Sequence, residues 1–164
     1  MMRVYLPATL SMVARLVDDG RLAAVNGTAF ALTPALREAY AAGDEDELAE
    51  VALGEAALAS IRLLAAEPGV RPRRAVLVAD VDDVTLRPDL DDAVVRLAEP
   101  VTMAQIAAGF VDNADAEPAV AAAMAAIDEA DLGDEDAELT VGDAQDHDLA
   151  WYGTQELPFL LDLL

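Results

Sequence analysis

An α+β fold is what this 164-residue chain predicts, and three observations point to it. Apolar runs of strand length alternate irregularly with stretches of helical period, a strong turn signal lies between two of the runs, and neither an internal repeat nor a linker divides the chain. The expected architecture is a single domain over residues 1–164, a mixed β-sheet with helices packed mainly on one face. A chain of this length buries roughly two-thirds of its unfolded surface. Alanine occurs 36 times and aromatic residues make up only 4%, so the core must rely on close backbone approach around few large side chains.

The elements follow in order. "MRVYLPA" reads as a first strand from Arg3 to Leu6, stopped by Pro7 because proline cannot donate to a ladder. Thr9 opens a helix with Leu10, Val13, Leu16 and Val17 on one face, and Gly20 closes it. Asn26-Gly27 between apolar runs predicts a β-hairpin, since both residues tolerate positive φ. Thr33 and Pro34 stand as N-cap and first position of a short helix to about Ala42. Asp44 with Glu47 has capping-box spacing for a long helix whose face carries Leu48, Val51, Leu58, Ile61 and Ala65; Gly54 would permit close approach, and Pro68-Gly69 would end it. "DEDE" is thereby explained as first-turn carboxylates facing the positive end of the helix dipole.

"RRAVLVADV" has the continuous apolar character of a central strand buried on both faces. "DDVTLRPDLDD" reads as loop and "AVVRLAEP" as strand. Thr102 and Gln105 predict a capped helix ending near Gly109, and "DAEPAVAAAMAAIDEA" a helix with Pro118 in its first turn and Val120, Met124 and Ile127 on one face. Residues 131–148 read as a loop-rich acidic segment in which "ELTV" could form a short edge strand. "DLAWY" is expected to be the last strand and "ELPFLLDLL" a terminal helical turn or two.

Charge is the unusual property. The net value is −22, with no lysine and ten arginines. Residues 1–96 hold 16 acidic and 10 basic side chains, whereas residues 97–164 hold 16 acidic side chains and no lysine or arginine. Such a field repels phosphates and anionic lipid, so direct nucleic-acid or membrane binding is not expected, while a basic protein partner is. The absence of cysteine excludes disulfides, thiolate metal sites and cysteine nucleophiles. The N-terminus has no basic region followed by an apolar stretch, and no run reaches 18 apolar residues, so neither a signal peptide nor a membrane span is expected and the anticipated location is cytoplasmic.

Candidate sites are few. "VLVADVDDVT" resembles the D-x-D strand end of haloacid-dehalogenase-like phosphatases through Asp80 and Asp82. It departs from that pattern because Thr85 comes one residue late, the strand lies mid-chain, and no lysine exists to hold a phosphate. A looser reading makes Asp80, Asp82 and Asp83, with Asp91 or Asp92, weak candidates for a divalent cation, since hard cations take oxygen ligands. Residues 128–148 fail the calcium-loop pattern because Ala130 and Leu132 stand at ligand positions. His147 lies between Asp146 and Asp148 and could serve as a base only beside a pocket. Trp151 and Tyr152 alternate across a strand, so one faces the core and the other is free for a partner. Arg71, Arg73 and Arg74 could hold an anion but more simply offset the acidic surface. Walker, dinucleotide-binding, nucleophile-elbow and zincin motifs are absent, and the two serines, Ser11 and Ser60, fall on helices.

The segments "MRVYLPAT", "VNGTAFALTPALREAY" and "HDLAWYGTQELPFLL" together resemble a family of small acidic proteins of unknown function found in high-GC Gram-positive bacteria. The resemblance implies a free-standing cytoplasmic protein and carries no activity, cofactor or catalytic residue. The expectation is therefore a non-enzymatic interaction or regulatory protein that presents an acidic surface to a basic partner, with Asp134, Glu135, Asp136, Trp151 and Tyr152 as contact residues. The alternative is a small metal-dependent enzyme or binder using Asp80, Asp82 and Asp83. No cofactor is expected, and nothing in the sequence sets an oligomeric state. A variant of the first reading, imitation of nucleic acid, is weakened by the expected loop, which would copy a regular duplex poorly.

Overall fold

Pro7 does not end the first strand. In the computed structural model, which describes residues 1–67 and 69–163, β1 (Met2–Ala8) runs through it. This strand pairs along its whole length with β4 (Ala75–Val81), from Met2 opposite Val81 to Ala8 opposite Ala75. On its other side it pairs with β3 (Thr28–Phe30) at Tyr5 opposite Phe30. Pro7 lies beyond that pairing, the kind of position where a strand tolerates a residue without an N–H.

The main sheet has seven strands in the order β5 (Val84–Leu86), β6 (Val94–Leu97), β3, β1, β4, β8 (Ile106–Val111) and β9 (Ala150–Gly153). The fold class is α+β as expected, but the sheet is antiparallel at every pairing rather than mixed. Strands β3 and β4 do run the same way across a helical crossover; β1 is inserted between them, so no parallel ladder forms. A separate two-stranded ribbon joins β2 (Arg21–Leu22) to β7 (Val101–Thr102).

That ribbon overturns the expected hairpin. Asn26 and Gly27 do adopt φ 57° and 68° in a tight turn closed by the Gly27 N–H on the Ala24 carbonyl. The strands on either side, however, find other partners: β2 takes β7, and β3 takes β1 and β6. Local chemistry makes the turn, and tertiary pairing decides where the strands go.

Helices cover both faces. Thr9 caps α1 (Leu10–Asp19) by accepting from the Met12 N–H, and Gly20 ends it at φ 77°. Thr33 caps α2 (Pro34–Ala39) in the same way, accepting from Leu36, and Asp44 caps α3 (Glu45–Ala65) through the Glu47 N–H at 2.9 Å. On one face of the sheet Val4, Leu6, Leu77 and Val95 meet Met12, Val13 and Leu16 of α1 and Leu157 and Leu160 of α6 (Leu157–Leu163). On the other, Phe30, Val76 and Val94 meet Leu36 of α2 and Leu48, Ala52, Ala56 and Ala57 of α3. Most of the helical mass does lie on this second side, because α4 (Glu117–Asp131) and α5 (Glu135–Gln145) pack on α3 through Ile61, Leu64, Val120, Ile127, Val141 and Ala144. The first face is nevertheless closed by α1 and α6. The buried stripe of α3 sets Ala52, Ala56, Ala57 and Ser60 between the larger Leu48, Ile61 and Leu64, with Val51 and Leu58 only partly covered. Of the expected stop, Gly69 takes φ 78°, while Pro68 lies outside the described residues.

The Thr102–Gln105 capping box exists, but it closes a single 3₁₀ turn before β8, so the stretch to Gly109 is strand and not helix. Residues 131–148 are not loop-rich: α5 occupies Glu135–Gln145, with Asp134 as its N-cap accepting from the Ala137 N–H at 2.9 Å and Ala137, Val141 and Ala144 as its buried stripe. "ELTV" is accordingly helical.

The sheet also curls. Only Asp82 and Asp83 separate β4 from β5, a reach of at most ~11 Å between Val81 and Val84. Strand β5 is nonetheless four places from β4 in the sheet, which would be ~19 Å if the strands lay flat. The β5–β6 hairpin must therefore turn back beside the end of β4, and Asp83 takes φ 55° in the connection.

Candidate functional site

The carboxylates at the end of β4 do not converge. Asp80 forms a two-pronged ion pair with Arg3, at 3.0 and 3.1 Å, across the β1–β4 register. The Arg3 guanidinium holds the Asp80 carboxyl below its ordinary range. Asp82 approaches the N-terminal ammonium at 3.6 Å, and both Asp82 and Asp83 are exposed. Asp91 lends a carboxylate oxygen to the Asp92 N–H, and the Asp92 carbonyl accepts from Thr33. Among the described residues, no group of three or more histidine or carboxylate side chains is arranged to hold a metal ion.

Among the described residues, Arg73 and Arg74 before β4 have partners, while Arg71 is exposed. Arg73 bonds Glu117 at 2.7 Å. Arg74 is 2% exposed, and Asp112, which follows β8, is 1% exposed. The Asp112 carboxylate receives the Arg74 backbone N–H at 2.8 Å, Nε at 2.9 Å and Nη2 at 2.7 Å. Nη2 also donates to the His147 carbonyl and Nη1 to Gln145 Oε1, both at 2.8 Å. One buried cation thus ties the start of β4 to the ends of β8 and α5, and its charge is cancelled on the spot. Sequence reasoning missed this pair. The available signal was positional, since "RRAVLVADV" and "GFVDN" set an arginine and an aspartate at the termini of two apolar strands.

Above this pair lies a cavity of about 420 Å³ between α3 and the edge of the sheet. Glu50, Leu53, Gly54 and Ala57 form the α3 wall; Phe110, Gln145, His147, Asp148 and Leu149 form the opposite one. Gly54 does not serve close helix approach as its position suggested: a Cβ there would meet nothing within 4 Å. Its carbonyl instead accepts from Gln145 Nε2 at 3.0 Å, which fixes the amide whose oxygen receives Arg74.

Trp151 and Tyr152 separate as alternation requires. Tyr152 packs into the core beneath α6, opposite Gly109, whereas Trp151 pairs with Phe110 and is 60% exposed. Asp134, Glu135 and Asp136 are all exposed at the start of α5. They belong to a set of ten exposed carboxylates between Asp128 and Asp148, carried by the end of α4, the turn at Gly133, α5 and the residues just after it. Among the described residues, Asp131 is the one of the ten with an ion-pair partner, Arg62 at 2.9 Å, which keeps its carboxyl below the ordinary range. Leu132 and Leu139 are exposed within the same patch.

A family model matches residues 2–161, so the chain belongs to a family of unknown function, DUF6912. No curated protein and no solved structure matches it. Among the described residues, no helix is long and apolar enough to cross a membrane.

Proposed function

We propose that this member of the family is a non-enzymatic cytoplasmic interaction protein whose α4–α5 hairpin docks on a basic surface of a partner protein. The observation that carries the reading is the order of the acidic segment. Eight exposed carboxylates, from Asp128 to Asp143, stand on two packed helices and the turn between them, with one arginine nearby to neutralise them. Charges on a fixed scaffold need no ordering when a partner arrives, and a field of one sign raises the rate of encounter with a basic surface. Exposed Leu132 and Leu139 supply apolar contact inside the charged patch.

The test is an affinity capture from native cytoplasm with the tagged full chain, washed at low and then high salt. It is run beside a variant carrying Glu135→Gln, Asp136→Asn, Glu138→Gln and Asp143→Asn, which leaves the Asp134 cap intact. A basic protein held by the parent, lost at high salt and not held by the variant is the expected result. Equal capture by parent and variant refutes the reading. Helical order also revives the imitation of nucleic acid, because the carboxylates of α5 stand on a regular element instead of a loop. In that case duplex DNA added to the capture displaces the partner.

A further inference from the structure

The cavity beside Arg74 adjoins a free sheet edge. Strand β9 is terminal in the sheet, and the register shows which of its backbone groups face out. The Asp112 N–H bonds the Arg74 carbonyl, which makes the even-numbered residues of β8 the ones bonded to β4. Gly109 and Val111 then bond β9, through Tyr152 and Ala150. The backbone N–H and C=O of Trp151 therefore point away from the sheet. Gly153 agrees with this assignment, since its N–H is taken by the Glu156 carboxylate at 3.1 Å instead of by β8. Leu149 has the same parity as Trp151, and both side chains lie on the α3 side with Phe110.

Edge and cavity are thus contiguous: Asp148 and Leu149, which line the cavity, lead directly into β9. A strand added beside Leu149–Trp151 would send every second side chain over the cavity mouth. The volume of about 420 Å³ falls in the range of pockets that hold small groups, about 300–1,000 Å³. Leu53, Ala57, Phe110 and Leu149 suit an aliphatic stem, and the exposed carboxylates of Glu50 and Asp148 suit a cationic head. Arg74 does not repel such a head, because Asp112 cancels its charge from behind. Exposed Trp151, the cross-strand partner of Phe110, offers a ring face to a guanidinium.

We infer that this edge and cavity form a receptor for an extended, arginine-bearing segment of a partner protein, which adds to β9 and places an arginine between Glu50 and Asp148. The inference rests on the interaction reading above and uses a surface distinct from Glu135–Asp143. The probe is an N-acetylated, C-amidated pentapeptide of alternating arginine and valine. Binding is read by the fluorescence of Trp151, the single tryptophan, and by backbone amide shifts in NMR. Saturable binding with the largest shifts at Leu149 and Trp151 is expected. Glu50→Gln with Asp148→Asn should weaken it about tenfold, the value of one charge-assisted contact. Both residues are exposed, so folding is spared. Replacing arginine by citrulline should weaken binding similarly, and N-methylation of the peptide groups facing β9 should abolish it.

Equal binding of the citrulline peptide, or shifts confined to α5, overturns the proposal. Arginine amide binding as tightly as the peptide overturns the strand addition. If the peptide fails while the four-carboxamide variant still loses its captured partner, the receptor is wrong and the docking of the hairpin stands.

Discussion

Asp112→Ala is the substitution that most directly tests how the site is built. It removes three bonds to Arg74, of 2.7 to 2.9 Å, and leaves a guanidinium that is 2% exposed without its counter-charge. Breaking one side of such a buried pair costs about 3–5 kcal/mol, against a total stability of about 5–15 kcal/mol for an ordinary domain. With a urea dependence of about 2 kcal/mol per molar, the midpoint should fall by roughly 2 M. The assay is urea unfolding followed by far-UV circular dichroism. Trp151 is a poor reporter because it is already 60% exposed in the folded state. The companion variant Arg74→Met with Asp112→Leu removes both charges and fills the space. It should recover at least half of the loss, less whatever the orphaned Gln145 and His147 oxygens cost. A loss below about 1 kcal/mol for Asp112→Ala, or a double variant as unstable as the sum of the single ones, would refute the account of a desolvated, coupled pair.

Glu55→Gln should stabilise the protein at pH 7 and leave it unchanged at pH 3. Burial, reinforced by Asp91, raises the Glu55 carboxyl above its ordinary 4.5, so its contribution is complete below that value and is lost as pH rises through the folded one; unfolding curves at the two pH values check the sign. Gly109→Ala places a Cβ 2.8 Å from Leu157 Cδ2 at a fully buried contact, and should cost about 1–3 kcal/mol while loosening α6, read by hydrogen exchange there. Asp134→Ala should cost about 1 kcal/mol through loss of the α5 cap, whereas Asp134→Ser should keep most of it, which separates capping from charge in thermal melts. Because the carboxylates of residues 128–148 repel one another, the melting temperature should climb between 10 and 150 mM salt as the screening length falls from about 30 to 8 Å.

What was legible in the sequence was mostly local. Thr9, Thr33 and Asp44 announced their helices because a cap needs only its own next turn, and Gly20 and Asn26-Gly27 announced turns for the same reason. The central strand Ala75–Val81 was legible because burial on both faces leaves a continuous apolar run. Partnership was not legible. Asn26-Gly27 makes its turn, yet β7, some eighty residues away, takes one flank. Thr102 and Gln105 make a capping box that stops after one turn, because Ile106–Val111 gains more as the ladder between β4 and β9. The helix α5 was hidden by composition: acidic first-turn residues are favourable at a helix N-terminus, but beside Gly133 and Gly142 they read as loop. The cavity needed four separate segments brought together, and only its positional hint at Arg74 and Asp112 lay in the sequence.

The pairing of β1 with β4 sets the order in which the chain can assemble. Its closest partners, Ala8 and Ala75, are 67 residues apart, and Met2 and Val81 are 79 apart. Closing a loop of that length costs about 4 kcal/mol of chain entropy before the ladder returns anything, so formation of this seam is a natural rate-limiting step. During synthesis the first strand leaves the ribosome with only β3 to meet, at Tyr5 opposite Phe30, and its full-length ladder must wait until residue 81 has emerged. Flanking helices α1 and α3 can form in the meantime, since their caps are local. Folding of the nascent chain should therefore be abrupt, switching on between truncations that end just before and just after β4 clears the exit tunnel.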